Sequence, residues 1–333
     1  MIIRNTNQIK VFNTHVVRGA LTPRTPQTIG RIVRSTHLSV PTVSRIVDEM
    51  VESRELLIYP EEVITGGRRA RQYVLNADFA YTLCIYFDRK VIWTELTNVI
   101  GDVIDRSEVA VEELSHVGEI DRIVAGYAAR HPALKAVSIG VPAWVDRDQL
   151  KAIKAYPSFT NVNFRELIQQ KYHLPCHVTN DLKAIVRGYY NTHFAGQKTS
   201  LCCFHLSSSG PGTGLIVDGK LLPGFAGFAG EVGYLPVGST TLHQALGPES
   251  DEKSRVRAAA AAVAALITLI NPQYFLFCTH GKRLGSVKKV IDLCREKLPA
   301  EALPQFIESE EYHLYYLKGL RQIGRDMIFG PVV

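Results

Sequence analysis

An amide and a carboxylate stand side by side where an apolar segment gives way to a predicted helix. The predicted strand His177–Thr179 is followed at once by Asn180 and Asp181. Ligands of α/β proteins bind at the carboxyl ends of strands, where Asn180 could hydrogen-bond to sugar hydroxyls and Asp181 could accept a proton from one. The alternative is structural, because Asn and Asp are also preferred caps at the start of a helix.

Two glycine-rich segments could also hold a ligand. Residues 207–214 read SSSGPGTG, a composition that can present backbone N–H groups to a phosphate, although an ordinary hairpin has the same composition. Residues 224–234 read GFAGFAGEVGY; closely spaced glycines let the backbone approach a ligand, and the alternative is a flexible apolar loop. Because an unpaired buried charge is costly, we expect Glu231, within this small and apolar run, to have a polar partner or a ligand.

The cysteines offer little evidence for a metal site. The six of them include no C-x-x-C pair, so no disulfide framework or common metal motif is indicated. Cys203 and His205 fall on one face of the predicted strand Leu201–Leu206, but no fourth ligand for a tetrahedral site is evident. Cys202 and Cys203 are therefore predicted to be reduced core residues, which is typical of a reducing cytoplasm.

Three helices are predicted in the N-terminal part of the chain. The second is expected to begin with Thr25 as its N-cap and Pro26 in its first turn. After a tight turn at residues 36–39, Ser39 is expected to cap a third helix, Val40–Ser53. A short helix, a tight turn and a third helix that begins with small polar residues are typical of a helix-turn-helix.

An arginine-rich hairpin follows the third helix. Two predicted strands, at residues 56–59 and 73–75, flank the segment TGGRRAR, whose glycines permit a tight tip. Such a wing places arginines beside phosphates or in the minor groove, while the start of the third helix reads bases in the major groove. The predicted DNA-contacting residues are Ser39, Thr42, Ser44 and Arg45 in the helix and Arg68, Arg69 and Arg71 in the wing.

The charge distribution favours the same hypothesis. Residues 1–75 carry 11 Lys or Arg and 6 Asp or Glu, a net charge of +5, whereas the rest of the chain carries 27 and 26, a net charge of +1. A local basic excess is what a domain that faces a phosphate backbone needs. The alternative is a solvated basic loop on a three-helix domain that binds another protein.

The rest of the sequence alternates short β-rich runs with helical stretches. This order predicts an α/β or α+β fold with more than one sheet, such as a two-lobed domain that closes on a ligand. The longest near-apolar run, Ala258–Ile270, is too short to span a bilayer and indicates a buried helix. Strands are predicted at 83–87, 91–96, 136–139, 177–179, 201–206 and 214–217, and helices at 119–130, 164–171, 181–190, 251–270, 283–297 and 315–329.

Together these segments resemble the ROK family of repressors and sugar kinases, and the resemblance covers nearly the whole chain. Residues 138–146 (SIGVPAWVD) are similar to the family's G-I-P-G-x-V-D strand and turn, and Asn180-Asp181 matches the pair whose Asp is the kinase base. Residues 227–234 are similar to the G-x-A-G-E-x-G-H signature, with Glu231 at the sugar-binding Glu. The resemblance implies an α/β protein: a winged helix-turn-helix joined to a two-lobed actin/hexokinase-like (ribonuclease H-like) sugar-kinase fold. It also implies a sugar site that contains Asn180, Asp181, Glu231 and Tyr234.

The sequence departs from the kinases of this family at their ligand-binding segments. Their D-x-G-G-T phosphate loop is replaced by FDRKVIWT at residues 87–94, which contains no glycine. In the second phosphate loop, Ser208 replaces a glycine. Tyr234 replaces a His that binds structural zinc, and the C-x-C-G-x-x-G-C cluster is absent between Val237 and Asp251. We therefore expect no zinc, no other cofactor and no ATP hydrolysis, with Asp181 as a vestigial base.

The leading hypothesis is a sugar-responsive repressor that binds double-stranded operator DNA as a homodimer or a dimer of dimers. A sugar or sugar phosphate between the lobes would switch it, and it would act on the nucleoid in the cytoplasm without contact to a membrane. The predicted domains are a winged helix at 1–78, a first lobe at 79–183 with the helix 312–333, and a second lobe at 184–311.

Two alternatives remain open at this point. The first is an active ATP-dependent sugar kinase fused to a DNA-binding domain, which Asp181 favours. The second is a regulator whose kinase-like domain serves only dimerisation or protein docking. The lost zinc segment and the aromatic stretch at residues 312–316 favour that second alternative.

Overall fold

The computed structural model describes residues 6–21, 24–65, 68–88, 91–110, 117–152, 159–207, 210–278 and 286–330. The predictions that concern the wing tip at 66–67 and the loop residues 89–90 and 208–209 lie outside the described residues. Within these ranges, the strands form one three-stranded sheet, two five-stranded sheets and two small hairpins. The predicted α/β class with more than one sheet is confirmed.

The N-terminal unit is a three-helix domain with a wing. Its elements are α1 (Thr6–Ala20), β1 (Gln27–Thr28), α2 (Ile29–Thr36), α3 (Val40–Glu52), β2 (Leu56–Thr65) and β3 (Arg68–Leu75). The strands pair antiparallel in the order β1-β3-β2. Buried Ile32, Val43, Ile46, Val47 and Met50 fill the space between α2, α3 and the sheet, as the helical spacing predicts.

The predicted start of the second helix is wrong. α2 begins three residues later than expected, and its N-cap is Thr28, whose hydroxyl accepts the N–H of Arg31 at 3.3 Å. Gln27 and Thr28 pair instead with Tyr73 and Gln72 of the wing. Because that pairing keeps the backbone of both residues extended, the helix can begin only after Thr28. The strand pairing therefore outweighs the local helix-start preference of Thr25 and Pro26.

The first lobe is built on a mixed sheet in the order β10-β7-β4-β5-β6. β4 pairs parallel with β7 and antiparallel with β5, and β10 extends the parallel side. The helices α4 and α5 cover one face of the sheet. The elements are β4 (Tyr81–Asp88), β5 (Val91–Asn98), β6 (Val103–Ala110), α4 (Val117–Arg130), β7 (Leu134–Val141), the hairpin of β8 (Trp144–Asp146) and β9 (Gln149–Ala152), α5 (Phe164–Tyr172) and β10 (Cys176–Asn180).

The second lobe has a sheet in the order β13-β12-β11-β16-β17, covered on one face by α8 and α9. β11 pairs antiparallel with β12 and parallel with β16. The elements are β11 (Leu201–Ser207), β12 (Gly210–Val217), β13 (Lys220–Leu221), the hairpin of β14 (Pro236–Val237) and β15 (Thr240–Thr241), α7 (Leu242–Ala245), α8 (Glu252–Ile270), β16 (Tyr274–Cys278), α9 (Val287–Lys297) and β17 (Gln305–Ser309).

Two helices lie between the lobes and belong to the core of both. α6 (Asp181–His193) and α10 (Tyr312–Phe329) pack together and against residues of both large sheets. Their backbones approach so closely that a Cβ on Gly188 would lie 2.0 Å from the Tyr315 carbonyl oxygen. A Cβ on Gly319 would lie 1.9 Å from the Ala184 carbonyl oxygen. This crossing fixes the position of Asp181, the first residue of α6.

Several expectations about individual residues can now be compared with the structure. Cys202 and Cys203 are buried, as predicted, and all six cysteines are free and buried. The aromatic stretch at 312–316 is not a docking surface, because Tyr312, Tyr315 and Tyr316 are buried in the core of α6 and α10. No helix within the described residues is both long and apolar enough to cross a membrane.

Candidate functional site

The start of α3 forms the first part of a candidate DNA-binding face. Ser39 is the N-cap, as predicted, and its hydroxyl accepts the N–H of Thr42 at 3.3 Å. The hydroxyls of Ser39 and Thr42 are also 2.8 Å apart. Ser39 is exposed, whereas Thr42 and Ser44 are half-buried. The cap therefore holds two of the four predicted base-contacting side chains in a fixed geometry.

Arg45 projects from the same helix into solvent. Its guanidinium lies 3.2 Å from Glu49, which also pairs with Lys10 at 3.1 Å. The Arg45 side chain is 54% exposed, and ion pairs at this level of exposure contribute little free energy. Arg45 can therefore leave Glu49 for a phosphate or a base without a large cost.

The wing presents a second basic surface. β2 and β3 pair as far as Thr65 and Arg68, and both Arg69 and Arg71 are exposed. The side chain of Arg68 lies outside the described residues. Arg34, which the sequence analysis missed, is exposed on α2 and lines a groove of about 320 Å³ together with Arg71. Its signal was the pair of basic residues three apart in IGRIVRST, on the polar side of a short helix.

Asn180 acts as a helix cap in this structure. Its side-chain oxygen accepts the N–H groups of Leu182 at 2.9 Å and Lys183 at 3.3 Å, and its amide donates to the Ala143 carbonyl at 3.0 Å. The structural alternative is therefore realised, since the amide joins the start of α6 to the turn between β7 and β8. One amide hydrogen of Asn180 is left for a ligand.

Asp181 is a buried carboxylate. It is 3% exposed and accepts the N–H of Leu182 at 2.8 Å. Burial raises the pKa of Asp181 to about 7, and the negative charge of Glu231 adds to the rise. A carboxyl group with a pKa close to the ambient pH can exchange a proton with a ligand hydroxyl.

Glu231 faces Lys183, a residue that the sequence analysis missed. Burial raises the pKa of Glu231, and the positive charge of Lys183 opposes that rise. Lys183 is itself buried, which lowers its pKa, and its ammonium group donates a hydrogen bond to the Gly227 carbonyl. Among the described residues, the carboxylate of Glu231 has no hydrogen bond and no ion pair, so Lys183 acts on it only through longer-range electrostatic attraction.

The glycine-rich segment approaches protein backbone rather than open space. Gly227 has φ +68°, and a Cβ there would lie 2.0 Å from the Val145 carbonyl oxygen. The Trp144 indole N–H donates to the Ala226 carbonyl at 2.7 Å, and its ring lies edge-on to Phe228 with centroids 5.1 Å apart. We call these contacts, together with the Lys183–Gly227 hydrogen bond, the latch. It joins the second lobe to the β8–β9 hairpin of the first.

The latch closes over a small interlobe cleft. The cleft holds about 90 Å³ and is lined by Asn180, Asp181 and Glu231 among others. Sites that bind small molecules hold about 300–1,000 Å³, so the lobes must separate before a sugar can enter. Tyr234, the fourth predicted sugar contact, is 64% exposed, packs against Phe228 and does not line the cleft.

The segments that correspond to phosphate loops and to a metal site have other roles here. β4 and β5 pair as far as Asp88 and Val91. A Cβ on Gly214 would lie 2.3 Å from the Leu182 carbonyl oxygen, so the glycine is needed for the close packing of α6 against β12. His205 is buried, hydrogen-bonded to the Cys278 carbonyl and stacked on Tyr312. Within the described residues, no three His, Cys, Asp or Glu residues are grouped so that they could hold a metal ion.

Comparison with known proteins finds one matching family pattern. The pattern of the ROK family matches residues 105–251. This part of the chain is therefore similar to ROK proteins. The chain is 26% identical over 249 residues to the xylose repressor of Caldicellulosiruptor bescii and 23% identical over 247 residues to that of Bacillus subtilis. It is also 22% identical over 245 residues to the DNA-binding transcriptional dual regulator NagC of Escherichia coli.

These alignments do not span the whole of the relatives. Each covers 71% of this chain but only 60%, 63% and 60% of the three relatives, in the same order. The chain therefore matches less than two thirds of the length of these curated relatives.

Solved structures of ROK proteins share the fold. A ROK family transcriptional regulator, described as a homologue of the Escherichia coli MLC protein, superposes with a TM-score of 0.73 at 18% identity, over 96% of this chain and 98% of the other. A ROK family glucokinase from Streptomyces griseus, in complex with glucose and AMPPNP, gives a TM-score of 0.56 at 20% identity over 74% of this chain. At these identities the likeness concerns the fold, and it confirms the predicted actin/hexokinase-like architecture.

Proposed function

We propose that this ROK protein is a sugar-responsive, DNA-binding transcriptional regulator of the repressor type. The observation that carries the proposal is the exposed recognition face, in which a capped α3 with Arg45 stands beside a wing with Arg69 and Arg71. The names of the relatives, xylose repressor and regulator NagC, support the same function. The proposed partner is double-stranded operator DNA.

Operator binding requires two recognition helices in register. A homodimer, or a dimer of dimers, places them one helical turn apart on a palindromic site. Selection of genomic fragments by the immobilised full chain, followed by sequencing and footprinting, tests this proposal. We expect a palindromic footprint, and we expect Arg45→Ala to reduce the preference for that site over random DNA. If no sequence is enriched over random DNA, the regulator function is wrong.

The interlobe cleft is the proposed sensor. A sugar or sugar phosphate held by Asn180, Asp181 and Glu231 would bind only after the latch opens, so it would shift the balance between closed and open lobes. Thermal-shift screening with pentoses, hexoses, amino sugars and their phosphates tests this, with xylose and N-acetylglucosamine included because of the relatives' names. Failure of every compound to change both the unfolding temperature and the operator affinity would remove the sensor function while leaving DNA binding intact.

We propose that the ROK domain does not phosphorylate sugars. The glycine-free hairpin at residues 87–94 supports this, since bulky side chains obstruct close contact between backbone N–H groups and ATP phosphates. The pKa of Asp181, raised to about 7, favours the alternative of a retained kinase base. A coupled ADP-release assay on the same sugar panel decides between them. Turnover by the wild type that disappears in Asp181→Asn would establish the kinase.

A specific observation favours a second candidate, in which the ROK domain is only a scaffold for dimerisation or docking. The cleft of about 90 Å³ is closed by the latch and is too small for a sugar. For either function we propose the same three domains, at residues 1–78, 79–183 with 312–333, and 184–311. We also propose that the protein acts on the nucleoid in the cytoplasm, where operator DNA lies. Small-angle scattering with and without sugars separates sensor from scaffold, since only a sensor changes its overall dimensions.

A further inference from the structure

Another cavity lies where the sheet of the first lobe meets α6 and α10. It holds about 250 Å³ and is enclosed by the end of β5 with its following turn, the last part of α6, and α10. We call it the junction cavity. α10 supplies three basic side chains to its lining, Lys318, Arg321 and Arg325, and none of its described lining residues is acidic.

Only one of the three cations is neutralised. The Arg321 guanidinium contacts buried Glu95, with Nε 2.6 Å from Oε1. Lys318 has only a long contact to the face of Tyr315, with Nζ 5.7 Å from the ring centroid. Among the described residues, the guanidinium of Arg325 makes no hydrogen bond and no ion pair. Two positive charges therefore line the cavity without an anion.

The acids nearest to Arg325 are already paired. Glu55 accepts a hydrogen bond from Arg18 at 2.9 Å, with both side chains nearly buried. Asp326 accepts hydrogen bonds from Arg187 and, at 2.8 Å, from Gln322. The interactions that Arg325 lacks inside the protein must therefore come from water or from a ligand.

Burial makes that deficit significant. The side chain of Arg325 is partly withdrawn from water, and this burial together with the positive charge of Arg18 lowers its pKa. Natural proteins rarely leave a desolvated charge unpaired, because its lost hydration is not repaid. Asn191, on α6, lines the same cavity, and its side-chain amide likewise has no hydrogen-bond partner among the described residues.

We propose that the junction cavity binds a small phosphate-bearing anion through Arg325 and Lys318, with Asn191 as a neutral donor. A guanidinium matches the geometry of a phosphate, which it can contact with two parallel N–H groups. The volume is slightly below the range of about 300–1,000 Å³ that is usual for small-molecule sites. The cavity therefore suits inorganic phosphate or a short phosphomonoester, and it is too small for a nucleotide.

The position of the cavity gives such an anion a consequence for the winged helix. Ile100, in the turn that forms one wall, also packs against the winged-helix core. Asp102, two residues later, is ion-paired with Arg24 of the winged helix. An anion that joins α10 to this turn would stiffen the attachment of the winged helix to the first lobe.

Isothermal titration of the full chain with inorganic phosphate, at constant ionic strength maintained with chloride, tests the proposal. We expect saturable binding to one site per chain and a rise of a few degrees in unfolding temperature at saturation. Arg325→Gln should weaken phosphate binding about tenfold or more, and Lys318→Gln by a smaller factor. Lys288→Gln, which removes an exposed positive charge from α9 in the second lobe, is the matched control and should bind like the wild type.

Two outcomes would overturn the proposal. One is that phosphate has no saturable effect on the wild type. The other is that it stabilises wild type, Arg325→Gln and Lys288→Gln equally, which is the signature of a general salt effect. Misfolding is not expected to confuse the result, because removing an unpaired, partly buried cation should leave the unfolding temperature in chloride unchanged or higher. None of these readouts depends on operator DNA or on a sugar, so the proposal stands or falls separately from the proposed regulator.

Discussion

Substitution of Asp181 by asparagine should stabilise the protein, and the gain should depend on pH. The Asp181 carboxyl has an ordinary pKa of 3.8 in the unfolded chain and a pKa of about 7 in the folded protein, mainly because of burial. Below the lower value both states carry the proton, so folding incurs no cost. Between the two pKa values the unfolded carboxyl is ionised, whereas the folded one keeps its proton, so folding must take up a proton. The resulting loss of folding free energy grows with pH and reaches its full size above the folded pKa, where the folded protein buries the charge.

The size of the effect follows from the two pKa values. Each unit of difference corresponds to about 1.36 kcal/mol, so the interval from 3.8 to about 7 amounts to at most about 4 kcal/mol at high pH. The Asp181→Asn side chain carries no charge, and its oxygen can still accept the N–H of Leu182. We therefore expect a variant that is more stable than the wild type by up to about 4 kcal/mol near pH 8 and by only about 0.6 kcal/mol near pH 4.

Urea unfolding of the full chain, followed by tryptophan fluorescence, measures this difference. The chain has two tryptophans, and Trp93 and Trp144 both lie in the first lobe, so the signal reports the lobe from which α6 begins. Asp292→Asn is the matched control, since that carboxylate is about half exposed on α9 and should change stability by less than about 0.5 kcal/mol at any pH. A gain of the same size at both pH values, or a loss of stability near pH 8, would refute the reasoning.

Three further substitutions test the packing around the candidate sites. Gly319→Ala should destabilise by about 1–3 kcal/mol in thermal unfolding, because its Cβ would overlap the Ala184 carbonyl, whereas Gly126→Ala in α4, with no atom nearby, should stabilise by about 0.5–1 kcal/mol. Ser39→Ala should cost about 1 kcal/mol through loss of the α3 cap, visible as earlier unfolding and weaker DNA binding; Ser39→Asp should restore the stability. Trp144→Phe should remove one latch hydrogen bond and so increase several-fold the rate at which chymotrypsin cleaves after Phe225, which is 94% exposed. An unchanged cleavage rate would show that the latch does not hold the loop.

The local parts of this fold were predictable from the sequence. The cap at Ser39, the strand that ends at Asn180 and the long helix before Asn271 all have short-range signals, such as N-cap residue types or apolar periodicity. β6 was missed because its burial pattern is that of a solvent-exposed strand, with charged residues at Asp105, Arg106 and Glu108. An edge strand of this kind has no apolar alternation to detect.

The geometry of the candidate site was predictable only in part. Asn180, Asp181 and Glu231 line one cleft, and their role in sugar binding stays a prediction. The exposure of Tyr234 and the burial of Lys183 were not foreseen. Lys183 reaches a carbonyl 44 residues away, and such a contact depends on how two lobes close rather than on any local pattern. The same holds for the start of α2, where pairing with a wing strand overrides the local Thr-Pro signal.

One rigid body connects the interlobe cleft with the junction cavity. Asp181 lies at the first turn of α6 and Asn191 near its last, about 15 Å apart along the helix axis. Because Gly188 and Gly319 bring the backbones of α6 and α10 into direct contact, neither helix can slide along the other without a steric clash. Any movement of α6 when the cleft opens must therefore carry α10 with it. α10 ends at Phe329, whose ring stacks with Phe79 and lies 4.3 Å beneath the guanidinium of Arg18 in the winged helix. The strength of coupling between a ligand in the cleft and the orientation of the winged helix is thus set by this helix pair and by what occupies the cavity beside it.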